Sequence, residues 1–217
     1  MAVAASRSWY DDLFALHGIP VGCDGTLWWA EGEPPRWHSV VKTLVPTTDP
    51  AGVLRRMEGH PHGTVADSFG LLDLGGQGFE LLLAATWLHH PGVPAGAEPP
   101  GWSRVLDAEL MTLWNQRHDT VGVLPADLWA HPRFTVLARH TGGELTGGAI
   151  LHDAGPVVGL SNTWGAGQVP IDPQDLLDIA ADTHPGRPVV AYAQGAELEA
   201  RLAAGFAPLG PQHVWIR

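Results

Sequence analysis

The sequence predicts an α+β fold, and three stretches carry that expectation. RFTVLARH (133–140) and ELTGGAILH (144–152) flank Thr141-Gly142-Gly143, which reads as a β-hairpin closed by a glycine turn. IDPQDLLDIAADTHPG (171–186) has the marks of a helix: Asp172 as cap, Pro173 in the first turn, and Pro185-Gly186 as the stop. RPVVAYAQ (187–194), GAELEARLAAGF (195–206) and QHVWIR (212–217) then read as strand, short helix and strand.

The remaining elements follow in chain order. HSVVKTLVP (38–46) is rich in Val, Thr and Leu and stops at Pro46, so a strand is expected. A helix should follow, capped by Thr48 or Asp49, with Pro50 in its first turn and Leu54 and Met57 facing inward. GTVADSFGLLDLGGQG (63–78) reads as strand, irregular segment and turn, and the apolar run FELLLAATWL (79–88) as a buried strand. HHPGVPAGAEPPG (89–101) is a Pro/Gly-rich connecting loop. VLDAELMTLWNQ (105–116) places Leu106, Leu110, Leu113 and Trp114 on one helical face. PVVGLSNTW (156–164) is a further strand, and Glu197 lies one helical turn before Arg201.

Composition narrows the function classes. With 217 residues, 45% of them hydrophobic, the chain suits one generous domain or a core domain with an extension. A net charge of −11 disfavours nucleic acid and anionic membranes as partners. One cysteine, Cys23, excludes an internal disulfide framework and fits a reducing cytoplasm. MAVAASRSWYDD lacks the apolar core of a signal peptide, so a cytoplasmic protein is expected. The expected partners are a small-molecule substrate and either a protein subunit or a second copy of the chain.

The order strand, helix, hairpin, strand, helix, strand, helix, Gly-Phe, strand over 79–217, ending in LEARLAAGFAPLGPQHVWIR, resembles the GNAT (Gcn5-related N-acetyltransferase) superfamily. That resemblance implies a central mixed, mostly antiparallel sheet flanked by helices. Residues 1–78 would then be an N-terminal α/β extension that contributes strands and a helix. It also implies acetyl-CoA bound at a Gln/Arg-x-x-Gly-x-Gly/Ala loop before a helix N-terminus. The matching stretch here is NTWGAGQVPIDP (162–173), where Gly165 and Gly167 keep the spacing and are the cofactor-binding candidates if CoA binds. Asn162 replaces the usual Gln or Arg, Pro170 and Pro173 supply no N–H, and Asp172 brings a carboxylate. The general-acid tyrosine of the family would fall near Arg201. The expectation is therefore a GNAT-like enzyme without acetyl-CoA, with an acetyl-CoA-dependent N-acetyltransferase of a small amine and a non-catalytic binding subunit as the alternatives.

Lys42 is the sharpest candidate for chemistry. It is the only lysine beside eleven arginines, yet it sits in an apolar, β-branched run. A buried ammonium must be paired or lose its proton, and either state is chemically useful. Asp67 in TVADSF is the expected partner, with Ser68 beside it to orient substrate; a purely structural ion pair or an edge-strand lysine would account for Lys42 as well. Such a Lys42/Asp67 pair suits leaving-group expulsion, as an elimination or ring closure in specialised metabolism. Trp28, Trp37, Ser161, Asn162, Trp164 and Tyr192 are the substrate-binding candidates, the tryptophans serving the core as readily as a pocket. Twelve histidines fall into no ligand spacing, so no metal site is expected.

Overall fold

Glycine, proline and aspartate caps punctuate the chain into short elements, and a computed structural model describes residues 1–94, 96 and 99–217 of it. Ala95, Ala97 and Glu98, part of the expected connecting loop 89–101, lie outside the described residues. Helix α1 (Ala2–Leu16), on which the sequence reading was silent, opens the chain, and a small hairpin of β1 (Val21–Cys23) and β2 (Leu27–Ala30) follows it. Then come β3 (Val41–Thr43), α2 (Pro50–Arg56), β4 (Thr64–Asp67), β5 (Glu80–His90), β6 (Trp102–Arg104) and α3 (Ala108–His118). The chain continues with β7 (Phe134–Thr141), β8 (Glu144–Asp153), β9 (Val158–Gly165), α4 (Pro173–Thr183), β10 (Val189–Ala193), α5 (Gly195–Ala203) and β11 (Ala207–Ile216).

The expected punctuation holds where its chemistry is local. Asp49 caps α2 by accepting the Ala51 N–H, and Asp172 caps α4 by accepting that of Gln174. The β7–β8 hairpin turns on Gly142 (φ 61°) and Gly143 (φ 86°), a left-handed pair that only glycine takes without strain.

Tertiary packing corrects four expectations. The strand expected over 38–46 is paired as β3 only over Val41–Thr43. β5 is not buried along its length: Leu81 and Leu82 are 47% and 59% exposed, and the strand turns inward only from Ala85. It also runs through His89 and His90, which were assigned to the loop, because both pair with β10. In α3 the inward residues are Met111, Trp114 and Asn115; Asp107 caps the helix, so Leu106 precedes it and is exposed, and Leu113 faces outward.

Among the described residues all eleven strands join one sheet in the order β1-β2-β3-β4-β11-β5-β10-β9-β8-β7-β6. Every neighbouring pair is antiparallel except β3–β4 and β9–β10, so the sheet is mixed and mostly antiparallel, as expected. Helix α1 packs across β5, β9 and β10. Its first turns bring Ala2 and Ala5 to the sheet, and its last turn buries Leu13 and Phe14.

Polar anchors fix the helix in register. The Asp12 carboxylate accepts from Arg133 Nη1 at 2.9 Å and from His152 Nε2 at 2.7 Å, while Asp11 accepts the Trp28 indole N–H at 2.8 Å. Asp12→Ala would leave a buried imidazole and a guanidinium without their carboxylate. We expect it to destabilise the fold by about 2–4 kcal/mol in urea unfolding, whereas Arg7→Ala, which removes a surface pair with Asp11, should change stability by less than about 1 kcal/mol.

Candidate active site

β9 and β10 pair at only two positions, Val158–Val189 and Gly159–Val190, and then part company. Beyond that point β9 carries a bulge: Gly148 opposes Trp164 and Ile150 opposes Ser161, so Asn162 and Thr163 face the single Ala149 of β8. Asn162 adopts φ 51°, which asparagine tolerates better than most side chains. The bulge tips Ser161, Asn162 and Thr163 into a cavity of about 340 Å³ under α1, whose opposite wall carries Tyr192 of β10 and Arg201 of α5. Thr163 Oγ donates to Glu197 Oε1 at 2.9 Å, and Arg201 Nη2 donates to both, which ties α5 to the bulged strand. Arg201 is 3% exposed, and its Nη1 has no partner among the described residues.

Lys42 stands just behind this cavity. It is 1% exposed, with its Nζ 3.0 Å from Ser6 Oγ, 4.6 Å from the Tyr10 ring centroid and 6.0 Å from that of Trp87. Ser6 lines the cavity wall, so the amine and the cavity meet through one hydroxyl. Burial, with no carboxylate beside it among the described residues, pushes the amine down to about 7. The same setting keeps its neighbours neutral. Burial lowers His38 to about 4, and raises the Tyr192 phenol, whose surface faces the cavity, to about 12.

The expected Lys42–Asp67 pair does not form. In the parallel β3–β4 ladder Lys42 lies beside Ala66, so strand alternation sends Asp67 to the opposite face with Thr43. There Asp67 accepts from Thr43 Oγ at 3.4 Å and from the Phe69 and Leu72 N–H groups at 3.2 and 2.8 Å, fixing the turn after β4. Ser68 is buried, away from the cavity lining, its Oγ without a partner among the described residues and its carbonyl bound by the Trp87 indole.

Of the substrate-binding candidates, Ser161, Asn162, Tyr192 and Trp37 line the cavity. Trp37 sits at its rim, 60% exposed, beneath the Arg36 guanidinium. Trp28 and Trp164 do not reach it. Trp28 is fully buried against Tyr10 and Phe14, and Trp164 packs edge-on to Trp114 and stacks on His118. The sequence reading missed Ser6, Tyr10 and His152; it named Arg201 as the helix partner of Glu197 and as the place where the GNAT general-acid tyrosine would fall, and not as a cavity residue. No local motif marks the first three, because they reach the cavity only once α1 has docked. Among the described residues, no three His, Cys, Asp or Glu side chains gather as a metal site would require, and no helix is long and apolar enough to cross a membrane.

Comparison with protein-family models finds no match, and neither does comparison with curated proteins. Solved structures do match. A GCN5-related N-acetyltransferase from Kribbella flavida aligns over 100% of this chain and 96% of its own at 14% identity and a TM-score of 0.63. A structure from Novosphingobium aromaticivorans, assigned to the GNAT family of acetyltransferases, aligns over 99% and 95% at 12% identity and a TM-score of 0.62. The fold is GNAT-like. A further GCN5-related N-acetyltransferase, from Sphaerobacter thermophilus, covers 100% and 90% at 10% identity and a TM-score of 0.51, so the similarity takes in residues 1–78 as well. Identities this low establish the GNAT-like fold and leave the activity to the site.

Two features of the 162–173 turn bear on a CoA pyrophosphate, its carboxylates and its glycines. At the N-terminus of α4, Pro173 has no N–H, the Gln174 N–H is already taken by the Asp172 carboxylate, and Asp175 adds a second carboxylate in the first turn. Gly165 lies against the Val169 carbonyl, where a Cβ would come within 2.0 Å of the oxygen, and Gly167 (φ 65°) forms the tight turn between them. Both glycines are therefore explained by the backbone of the turn itself.

Because Lys42 is the only lysine, selective ¹³C/¹⁵N-lysine labelling gives one side-chain resonance, and its titration should show a midpoint near 7 rather than the ordinary 10.5. Stability should follow. Below pH 7 the folded protein holds a charged, buried amine, so Lys42→Met is expected to be more stable than the wild type by about 2–4 kcal/mol. Between about 7 and 10.5 the unfolded chain binds the extra proton, so wild-type stability rises with pH and the gap narrows.

Proposed function

We propose that this protein is an enzyme that acts on a small molecule held in the cavity under α1, with Lys42 as the group that moves a proton and without CoA as cofactor. The observation that carries this reading is the buried amine whose one hydrogen bond among the described residues leads to a hydroxyl on the cavity wall. An amine poised near 7 accepts a proton in one step and returns it in the next, which suits expulsion of a leaving group with elimination or ring closure. Asn162, Ser161 and Tyr192 are the polar groups that would orient the substrate, and the Trp37 rim would cover it. The former partner candidate Asp67 has no part in this arrangement, since its oxygens are committed to the β4 turn.

A second reading keeps acetyl transfer to a small amine. Its support is the naming of the aligned structures as acetyltransferases and the divergence of β9 from β10. Calorimetric titration of the full chain with acetyl-CoA and CoA separates the two. We expect no saturable heat up to millimolar ligand. Binding in the micromolar range, weakened by substitution of Gly165, would overturn our reading in favour of the acetyltransferase and make a screen of amines the next step.

A further inference from the structure

Lys42 does not line the cavity; Ser6 does. The amine is enclosed by the faces of Tyr10 and Trp87, and at 1% exposure it cannot touch a substrate directly. Any proton it exchanges with the cavity passes through Ser6 Oγ, 3.0 Å away. A half-buried hydroxyl facing a small-molecule cavity, backed by an amine that no carboxylate pairs with among the described residues, has the arrangement of a nucleophile and its base. Resting on the reading of this cavity as an enzyme site, we infer that Ser6 is a nucleophile, with Lys42 as its base, and that the substrate class is a small ester or lactone.

The step balances with the groups at hand. The neutral Lys42 amine takes the Ser6 Oγ proton as the Oγ–C bond forms to the substrate carbonyl carbon. The bond from that carbon to the leaving oxygen breaks, and the leaving alkoxide takes a proton from cavity water, leaving hydroxide there while Lys42 keeps the serine's proton. Water, or a hydroxyl or amine of the same molecule, then attacks the acyl-Ser6 ester. The hydroxide takes the attacking group's proton, or is itself the attacking water, and Lys42 returns its own proton to Ser6 Oγ as the serine is released. Intramolecular capture in the second half closes a ring, and capture by water completes a hydrolysis. Asn162 and Tyr192 on the cavity wall provide side-chain donors for the carbonyl oxygen.

The test treats the full chain with diisopropyl fluorophosphate, whose phosphorus bonds to an activated serine oxygen as fluoride leaves, and locates the adduct by peptide mass spectrometry. We expect a single adduct on Ser6, absent in Ser6→Ala, slowed at least about 100-fold in Lys42→Met and unchanged in Ser103→Ala. Thermal melts of each variant report whether it is folded, and Ser6→Cys, alkylated by iodoacetamide at position 6 faster than at Cys23, supplies a second readout that depends on the same base. Absence of a Ser6 adduct in the folded wild type, or an adduct formed equally fast in Lys42→Met, overturns the proposal. If that occurs while Lys42 still titrates near 7, the nucleophile is lost and the proton-transfer reading stands; a Lys42 midpoint near 10.5 removes both.

Discussion

β9 and β10 run parallel for two residue pairs and then diverge, and the rest of the molecule is arranged around the opening they leave. A parted pair exposes backbone donors and acceptors that need other partners or water. On one side α5 fills the gap with the Thr163–Glu197–Arg201 network. On the other, α1 crosses over it, and the residue sizes along that helix decide how tightly. Leu13 and Phe14 close the far end against the core, whereas Ala2, Ala5 and Ser6 are too small to fill the space above the strands. The cavity is the volume those small side chains leave open. Asp11 and Asp12, held by Trp28, Arg133 and His152, keep the helix from settling onto the sheet in another register.

Placing Lys42 behind that cavity opposes stability. A methionine of similar volume would fill the same aromatic box with no charge to desolvate. What the lysine gains from the box is a lowered proton affinity, because the Tyr10 and Trp87 faces stabilise a cation far less than water or a carboxylate would. The neighbouring titratable groups respond in the same sense: His38 is held neutral by burial, and the Tyr10 and Tyr192 phenols are pushed up. The cavity therefore has one strongly charged wall, the Glu197–Arg201 pair, and otherwise neutral polar groups. The low polarity is confined to the box around the amine, formed by the Tyr10 and Trp87 rings.

The elements that were legible in the sequence are those whose chemistry is local. The Gly142-Gly143 hairpin and the Asp49 and Asp172 caps each depend on two or three consecutive residues, so they survive any tertiary context. The identity of Lys42 as an inward-facing group was legible too, since its flanks leave no wet side. Its partner was not. Asp67 follows an apolar strand just as Lys42 does, but the one-residue offset of the parallel register puts them on opposite faces, and register is a tertiary property. Helix α1 escaped notice for a related reason. Its inward face over the cavity is made of Ala2, Ala5 and Ser6, which carry little hydrophobic signal, and its importance lies in what they leave unfilled. Trp28 and Trp164 show the converse, large aromatic residues whose conspicuousness in the sequence reflects core packing.

The same backbone opening can serve different chemistries because the fold fixes the gap and the side chains decide what enters it. The Asp172 and Asp175 carboxylates at the N-terminus of α4 do not line the cavity. From the α1 end it is approached past Trp37, Tyr10 and Ser6, which offer aromatic surface and a hydroxyl. In the proposed reaction a substrate entering there meets Ser6 first, and the bulged residues Ser161 and Asn162 hold the rest of the molecule. That ordering assigns reactivity to α1 and β3, and recognition to β9 and β10. It places the proposed reactive residues in the first 42 positions of the chain, while the GNAT-like signature recognised in the sequence spans residues 79–217.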